Sequence, residues 1–313
     1  MQTRTTHFMH SERHLIHAIG GALAGCLLLS ATGCAAPQLE TRVEASRAAN
    51  PCSRAYKSVS EAQNVVAGHN PRLMRFLAAT AADSQWTEVA AACPQRFAQG
   101  TIHAAQAQHL AHMLAPAVGG TYSEPAAATH RGGLDGRTQL HAGTKVLLAA
   151  VLAEDRAGFA AEVLAARGVS NATLALSDDH KATASRLFSL ASAAGNIKDP
   201  RQKVYSVKQL LANQDTIIDA ATGLRVPTMA AIEIDCAREE ITGIDGQDSQ
   251  STQGTQITQG SQHMQQSQGS SASSPTDDSA SIDGLRTLSL LAASRMEQAF
   301  DFGYPSLDAA LFV

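Results

Sequence analysis

The sequence predicts an all-α protein. Three observations carry that expectation. Alanine, the best helix former, is abundant, while aromatic residues make up only 4% of the chain and there is one tryptophan. Apolar residues recur at three- and four-residue spacing over long stretches, which is the period of one helix face. Alternating Val/Ile runs of the strand type are hard to find. Such a composition favours small-residue helices packed at close approach.

The chain opens on an address. Residues 1–17, MQTRTTHFMHSERHLIH, carry Arg4 and Arg13 and little hydrophobicity, and residues 18–32, AIGGALAGCLLLSAT, carry no charge. A basic start followed by an apolar run is the layout of a secretory signal. The run is shorter than the ~20 residues a helix needs to span a bilayer. Ala31-Thr32-Gly33 then precede Cys34, which resembles the lipobox of bacterial lipoproteins, although that family usually has leucine where Ala31 stands. The resemblance implies diacylation of Cys34, which becomes the new N-terminus after residues 1–33 are removed. Two acyl chains suffice for stable anchoring. Leu23-Ala24-Gly25-Cys26 fits the letters better but would leave LLLSA on the mature end. An ordinary signal cut near Ala35 or Ala36 is the other alternative.

Residues 34–116 read as a smaller helical unit. Residues 35–52 form a short tether containing Pro37 and Pro51. Val59, Ala62 and Val66 make one helix, stopped by Gly68 and Pro71. Leu73, Phe76, Leu77 and Thr80 continue at helical spacing, as do Trp86, Val89, Ala90 and Cys93 before Pro94. Ile102 to Leu114 is a further helix, closed by Pro116 and Gly119-Gly120. Residues 117–137 are rich in Gly, Pro, Ser and Thr and read as a linker.

Residues 138–313 read as a bundle. A long helix over 138–167 carries Leu148, Leu152, Phe159 and Val163 on one stripe and stops at Arg167-Gly168. Ser177 is placed to cap a helix with Asp178 and Asp179 in its first turn. That helix has the stripe Leu176, His180, Thr183, Leu187, Leu190, Ala194. Asp199-Pro200 opens a third helix through Val207, Leu211, Ile218 and Ala221, broken at Gly223 and Pro227, and Met229 to Ile241 continues it. Residues 245–281 are Gln, Ser, Gly and Thr with little to bury, and predict a disordered insert. Leu285, Leu288, Ala292, Met296 and Ala299 restore the helical phase. The tail FGYPSLDAALFV should dock back on the bundle. Without its insert, this half is an antiparallel four-helix bundle with one long connection.

Of five cysteines, Cys52, Cys93 and Cys236 lie beyond the address. Outside the cytoplasm a pair should oxidise. Cys52–Cys93 is the favoured pair because both flank one helical unit. Closing a loop of about 40 residues would stabilise by roughly 4 kcal/mol in the chain-entropy model. The alternative leaves all three reduced and buried. Cys236 reads as a small core residue.

The stretches LLAAVLAEDRAGFAAEVLAARG, SDDHKATASRLFSLA and DGLRTLSLLAASRMEQAFDFGYPSLDAALF resemble the uncharacterised ferritin-like domain of actinobacterial lipoproteins. An acidic pair early in the first helix, a histidine and basic residue at the start of the second, and an aromatic, proline-containing tail carry the likeness. It covers roughly the C-terminal 170 residues without the insert. It implies a ferritin-like bundle.

No reaction is written in the chain. Di-metal bundles of that class use Glu-x-x-His on two helices. Here Ser177 stands three before His180 and Thr138 three before His141. A degenerate site from Glu154, His180, Glu233 and Glu297 is the metal alternative; the plainer reading makes these surface or bundle-end charges. His109 and His112 share a helix face and could hold a metal, but without a carboxylate partner the plainer reading is a solvated polar face. Gly-x-Ser-x-Gly, Ser-x-x-Lys, His-Glu-x-x-His and phosphate-loop signatures are missing. Glu239, Glu240, Asp245 and Asp248 lack the frame of a calcium loop. A net charge of −4 gives no footprint for nucleic acid.

The expectation is therefore an envelope lipoprotein on the extracytoplasmic face of the cell membrane. It has no cofactor, no catalytic residue, and a non-enzymatic binding or scaffolding role toward an envelope protein or ligand. The alternative is a metal-binding or oxidising protein.

Overall fold

A computed structural model describes residues 50–122, 133–193, 195–253, 275–307 and 311, the side chains of 245–253 and 275–281 excepted. The expected signal, Cys26 and Cys34 lie outside the described residues. The described chain is mostly helical, with eight helices and one two-stranded hairpin. None of these helices is long and apolar enough to cross a membrane. The described residues from Asn50 onward belong to one compact unit.

Helix α1 (Pro51–Ala67) starts where Asn50 accepts from the Ser53 amide at 2.7 Å and proline sits in its first turn. Helix α2 (Arg72–Ala92) runs unbroken through the two stripes read separately in the sequence and ends before Pro94. Trp86 joins the pair: its indole donates to Gln63 of α1 at 3.2 Å. Cys52 and Cys93 form a disulfide from the first turn of α1 to the end of α2. Helix α3 (Phe97–Leu114) packs on α2. Gly100 permits it, since a Cβ there would lie 2.5 Å from the Ala90 backbone nitrogen.

Residues 133–143 are irregular, and Leu134 and Leu140 are nevertheless buried. The long helix begins at Thr144 rather than 138, because Gly143 ahead of it takes a φ of 80°. This helix, α4 (Thr144–Ala165), closes through the Val169 amide on the Leu164 carbonyl, with Gly168 at φ 71°. Helix α5 (Leu174–Ser192) is capped by Thr173, whose hydroxyl accepts from the Leu176 amide at 3.1 Å. Ser177, expected as the cap, is instead a buried residue inside α5.

The third helix expected from Pro200 does not form over its length. Helix α6 (Lys208–Ala212) is a single turn, followed by the antiparallel pair β1 (Thr216–Ile218) and β2 (Arg225–Pro227), with Ile217 opposite Val226. The reason is local. Thr216-Ile217-Ile218 is β-branched, and Asp219 builds the turn with bonds to the Ala221 amide at 2.9 Å and the Thr222 hydroxyl at 3.0 Å.

Helix α7 (Thr228–Gln253) and helix α8 (Pro275–Asp301) extend into both ends of the segment expected to be disordered, so the unstructured reading does not hold for 245–253 and 275–281. Residues 254–274 lie outside the described residues. α4 packs on α5 and α7, α7 packs on α8, and α8 also carries α2 and α3. One apolar core therefore runs from Val59 and Trp86 through Leu147, Leu187 and Ile234 to Met296. The tail docks through Tyr304, which is buried and bonds to Asp219 and Arg238, and through Leu311, while Leu307 is exposed.

Candidate functional site

Four residues meet at the centre of α4, α5, α7 and α8, each on the apolar stripe of its own helix. Glu154 sits one turn from Ala150, Val151, Ala157 and Gly158 on α4; His180 lies between Leu176 and Leu187 on α5. Glu233 lies between Ala230 and Ala237 on α7. Arg295 lies between Ala292 and Ala299 on α8. All four side chains are fully buried. Gly158 lets α4 and α5 close in, since a Cβ there would meet that of His180 at 3.0 Å.

The geometry is a ring of alternating charge, hydrogen-bonded from Glu233 through His180 and Glu154 to Arg295 and joined by charge alone between Arg295 and Glu233. His180 Nδ1 stands 2.6 Å from Glu154 Oε2, and Nε2 stands 2.9 Å from Glu233 Oε1. Arg295 grips Glu154 with two prongs, Nε to Oε1 and a terminal nitrogen to Oε2, both at 2.9 Å. Its other terminal nitrogen reaches Asp179 at 3.1 Å. A carboxylate only accepts, so a histidine between two carboxylates donates from both nitrogens and is an imidazolium. Burial and the Arg295 charge push its pKa down, but Glu233 and Glu154 outweigh them and raise it to about 9. Burial pushes Glu154 up, and Arg295 and His180 overcome that and hold it at about 2. Burial opposes the charge on Arg295, and the carboxylates Glu154 and Glu233 raise its pKa nonetheless.

Two neighbours complete the centre. Glu240 is buried on α7 beside Glu154. Burial, then the nearby Glu154, pushes its pKa well above the ordinary carboxylate range. Cys236 is a buried free thiol, raised by burial and by Glu154 and Glu240. A protonated, enclosed thiol is a poor nucleophile.

Glu154, His180 and Cys236 are close enough to suggest a metal, with one donor atom each inside a 4.8 Å circle. They do not fit one. Both oxygens of Glu154 and both nitrogens of His180 are already engaged by protein partners. The Arg295 guanidinium supplies the cation there. The reading of Glu154 and Glu233 as surface charges is corrected, since both are at zero exposure.

Glu297, expected with that group, faces elsewhere. It stands two residues beyond Arg295, about 200° around the helix, and its carboxylate lies 3.0 Å from His112 Nδ1. His109 and His112 thus meet carboxylates after all, from α8 rather than from their own helix. His109 Nδ1 lies 3.3 Å from Asp301 Oδ1. An apolar groove of about 530 Å³, lined by Val66, Leu110, Met113 and Leu307, opens beside His109. Arg295 and Asp301 escaped the sequence reading; Asp179 was read only as a charge at a helix start, and Glu240, read with a small acidic patch, is in fact buried. For Arg295 a signal existed, an arginine in phase with Leu288, Ala292 and Ala299.

No protein-family model matches the chain, and no curated protein and no solved structure matches it either.

Proposed function

We propose that this chain is a bacterial envelope lipoprotein, held on the extracytoplasmic face of the cell membrane by lipid on Cys34, with a non-enzymatic binding or scaffolding role. In finer terms its body is a ferritin-like bundle of α4, α5, α7 and α8 that has exchanged a metal centre for a side-chain cation. One observation carries the non-enzymatic half: Arg295 holds both oxygens of Glu154 at the bundle centre. A ring of charge compensated by its own side chains orders a core. It engages both oxygens of Glu154 and both ring nitrogens of His180, so neither group is left to act on a substrate as acid or base. The lipid anchor rests on the Cys34 motif in the sequence.

The rival reading, a metal-binding or oxidising protein with a degenerate di-metal centre, draws on the convergence of Glu154, His180 and Glu233. Arg295 weighs against it, since a guanidinium and a divalent ion would compete for the same carboxylate at short range.

Two measurements test the proposal. The N-terminal peptide of the membrane-extracted protein should carry the mass of a diacylated Cys34, and Cys34→Ala should leave the membrane fraction. A parent without acyl mass, together with a Cys34→Ala variant that stays bound, overturns the anchor. Elemental mass spectrometry on chain purified without chelator or affinity histidines should find no metal that depends on Glu233 or His180. About two iron or manganese ions per chain, lost on Glu233→Gln, would establish the rival.

A further inference from the structure

The seam between α3 and α8 carries a second cluster, apart from the buried ring. His109 and His112 stand three apart on α3, and Glu297 and Asp301 four apart on α8, so each pair occupies one helix face. The packing of α3 on α8 brings the faces together. His109 Nδ1 lies 3.3 Å from Asp301 Oδ1, and His112 Nδ1 lies 3.0 Å from Glu297 Oε1 and 3.8 Å from Asp301 Oδ2. Donor atoms of His109, Glu297 and Asp301 all fall within 4.8 Å of one another.

Three features set this cluster apart from a chance meeting of surface charges. The His109 ring is held edge-on against Phe300, with centroids 5.5 Å apart, so its nitrogens are aimed. Its Nδ1 is buried, and despite the nearby Asp301 it has no partner in hydrogen-bond geometry among the described residues. The three histidine–carboxylate pairs also stand near coordination spacing. A tetrahedral zinc ion with bonds of about 2.0–2.1 Å separates its ligand atoms by roughly 3.3 Å, and those pairs, at 3.0, 3.3 and 3.8 Å, lie around that value.

We propose that His109, Glu297 and Asp301, joined by His112, bind one divalent transition-metal ion. Two imidazoles and two carboxylates suit zinc, whereas calcium and magnesium take oxygen ligands. His112 and Asp301 are 55% and 39% exposed, so an ion reaches the seam from solvent. The ion bolts α3 to the C-terminal end of α8 beside the apolar groove. This inference goes beyond the scaffold reading and does not rest on it.

The test is calorimetric titration with zinc chloride of the full chain, prepared without affinity histidines and stripped with chelator. Other histidines are accounted for by the His109→Ala/Asp301→Asn double variant. The parent should take up one zinc equivalent more than the double variant, and its melting temperature should rise with zinc. Asp301→Asn alone, a surface substitution that keeps the fold by circular dichroism, should weaken that site. The loss should exceed the roughly 10–100-fold that removing a supporting outer group costs a metal site. Glu233→Gln should leave the zinc isotherm unchanged, which separates this site from the buried ring. Equal zinc uptake by parent and double variant, or full affinity in Asp301→Asn, overturns the proposal.

Discussion

Arg295 and Glu154 face each other across the bundle centre in a two-pronged pair, 2.9 Å on each prong, with neither side chain exposed to solvent. Taking such charges out of water is costly, and their attraction offsets the cost only while both partners remain. Arg295→Met should therefore destabilise by about 3–5 kcal/mol, because it strands Glu154 with only His180 beside it. Replacing Glu154 as well, in Arg295→Met/Glu154→Leu, should recover much of that loss. Denaturant unfolding of the three proteins checks this; a single variant as stable as the parent would show that the pair contributes nothing.

The ring should give stability an alkaline and an acid limb. His180 is raised to about 9, so the folded state holds an extra proton above its ordinary 6.5. Its contribution is complete below pH 6.5 and lost as pH rises through 9, about 3 kcal/mol in all. Glu154 is lowered to about 2 from 4.5, so its contribution is complete above pH 4.5 and lost as pH falls through 2. Unfolding midpoints across pH measure both limbs, and His180→Gln, which cannot ionise, should flatten the alkaline one.

Glu240 works against the fold at neutral pH. Its folded pKa is pushed well above 4.5, so the unfolded chain releases a proton that the folded chain must keep. Stability should fall from pH 4.5 upward on this account. Glu240→Gln, of equal size and uncharged, should stabilise the fold at pH 8 and do so less at pH 5. A gain of the same size at both values would contradict the assigned protonation.

Reduction of Cys52–Cys93, which closes a separation of 41 residues, should lower stability by roughly 4 kcal/mol. The paired Cys52→Ala/Cys93→Ala protein should unfold at correspondingly lower denaturant in oxidising buffer and be indifferent to reductant.

Gly100 marks the closest approach of α2 and α3. Gly100→Ala places a methyl 2.5 Å from the Ala90 nitrogen, backbone that cannot swing aside. The two helices must separate, at about 1–3 kcal/mol. Gly136→Ala provides the contrast: its Cβ has open space, and only its φ of 75° resists.

Helices were legible where small apolar residues kept phase and ends carried local stops, as at Gly68, Pro94 and Gly168. The exception was 200–227, where α-type spacing of Val207, Leu211 and Ile218 competed with β-branching and lost once Asp219 found Arg238 and Tyr304. Those partners lie on α7 and in the tail, beyond any local window. For the site, Glu154, His180 and Glu233 were nameable as members of a degenerate metal set. Their meaning was not, because it depends on Arg295, whose pairing with Glu154 spans 141 residues.

Local order thus followed from composition and phase, since helix propensity, caps and breakers act over a few neighbouring residues. The proposed signal at residues 1–33 and the lipobox cysteine Cys34 are likewise read from short-range pattern. Packing alone settled which charges are buried, which carboxylate Arg295 neutralises, and that His109 and His112 meet Glu297 and Asp301. Electrostatic pairing depends on distance in space and on exclusion of water. Both arise only when helices remote in the chain come to lie side by side.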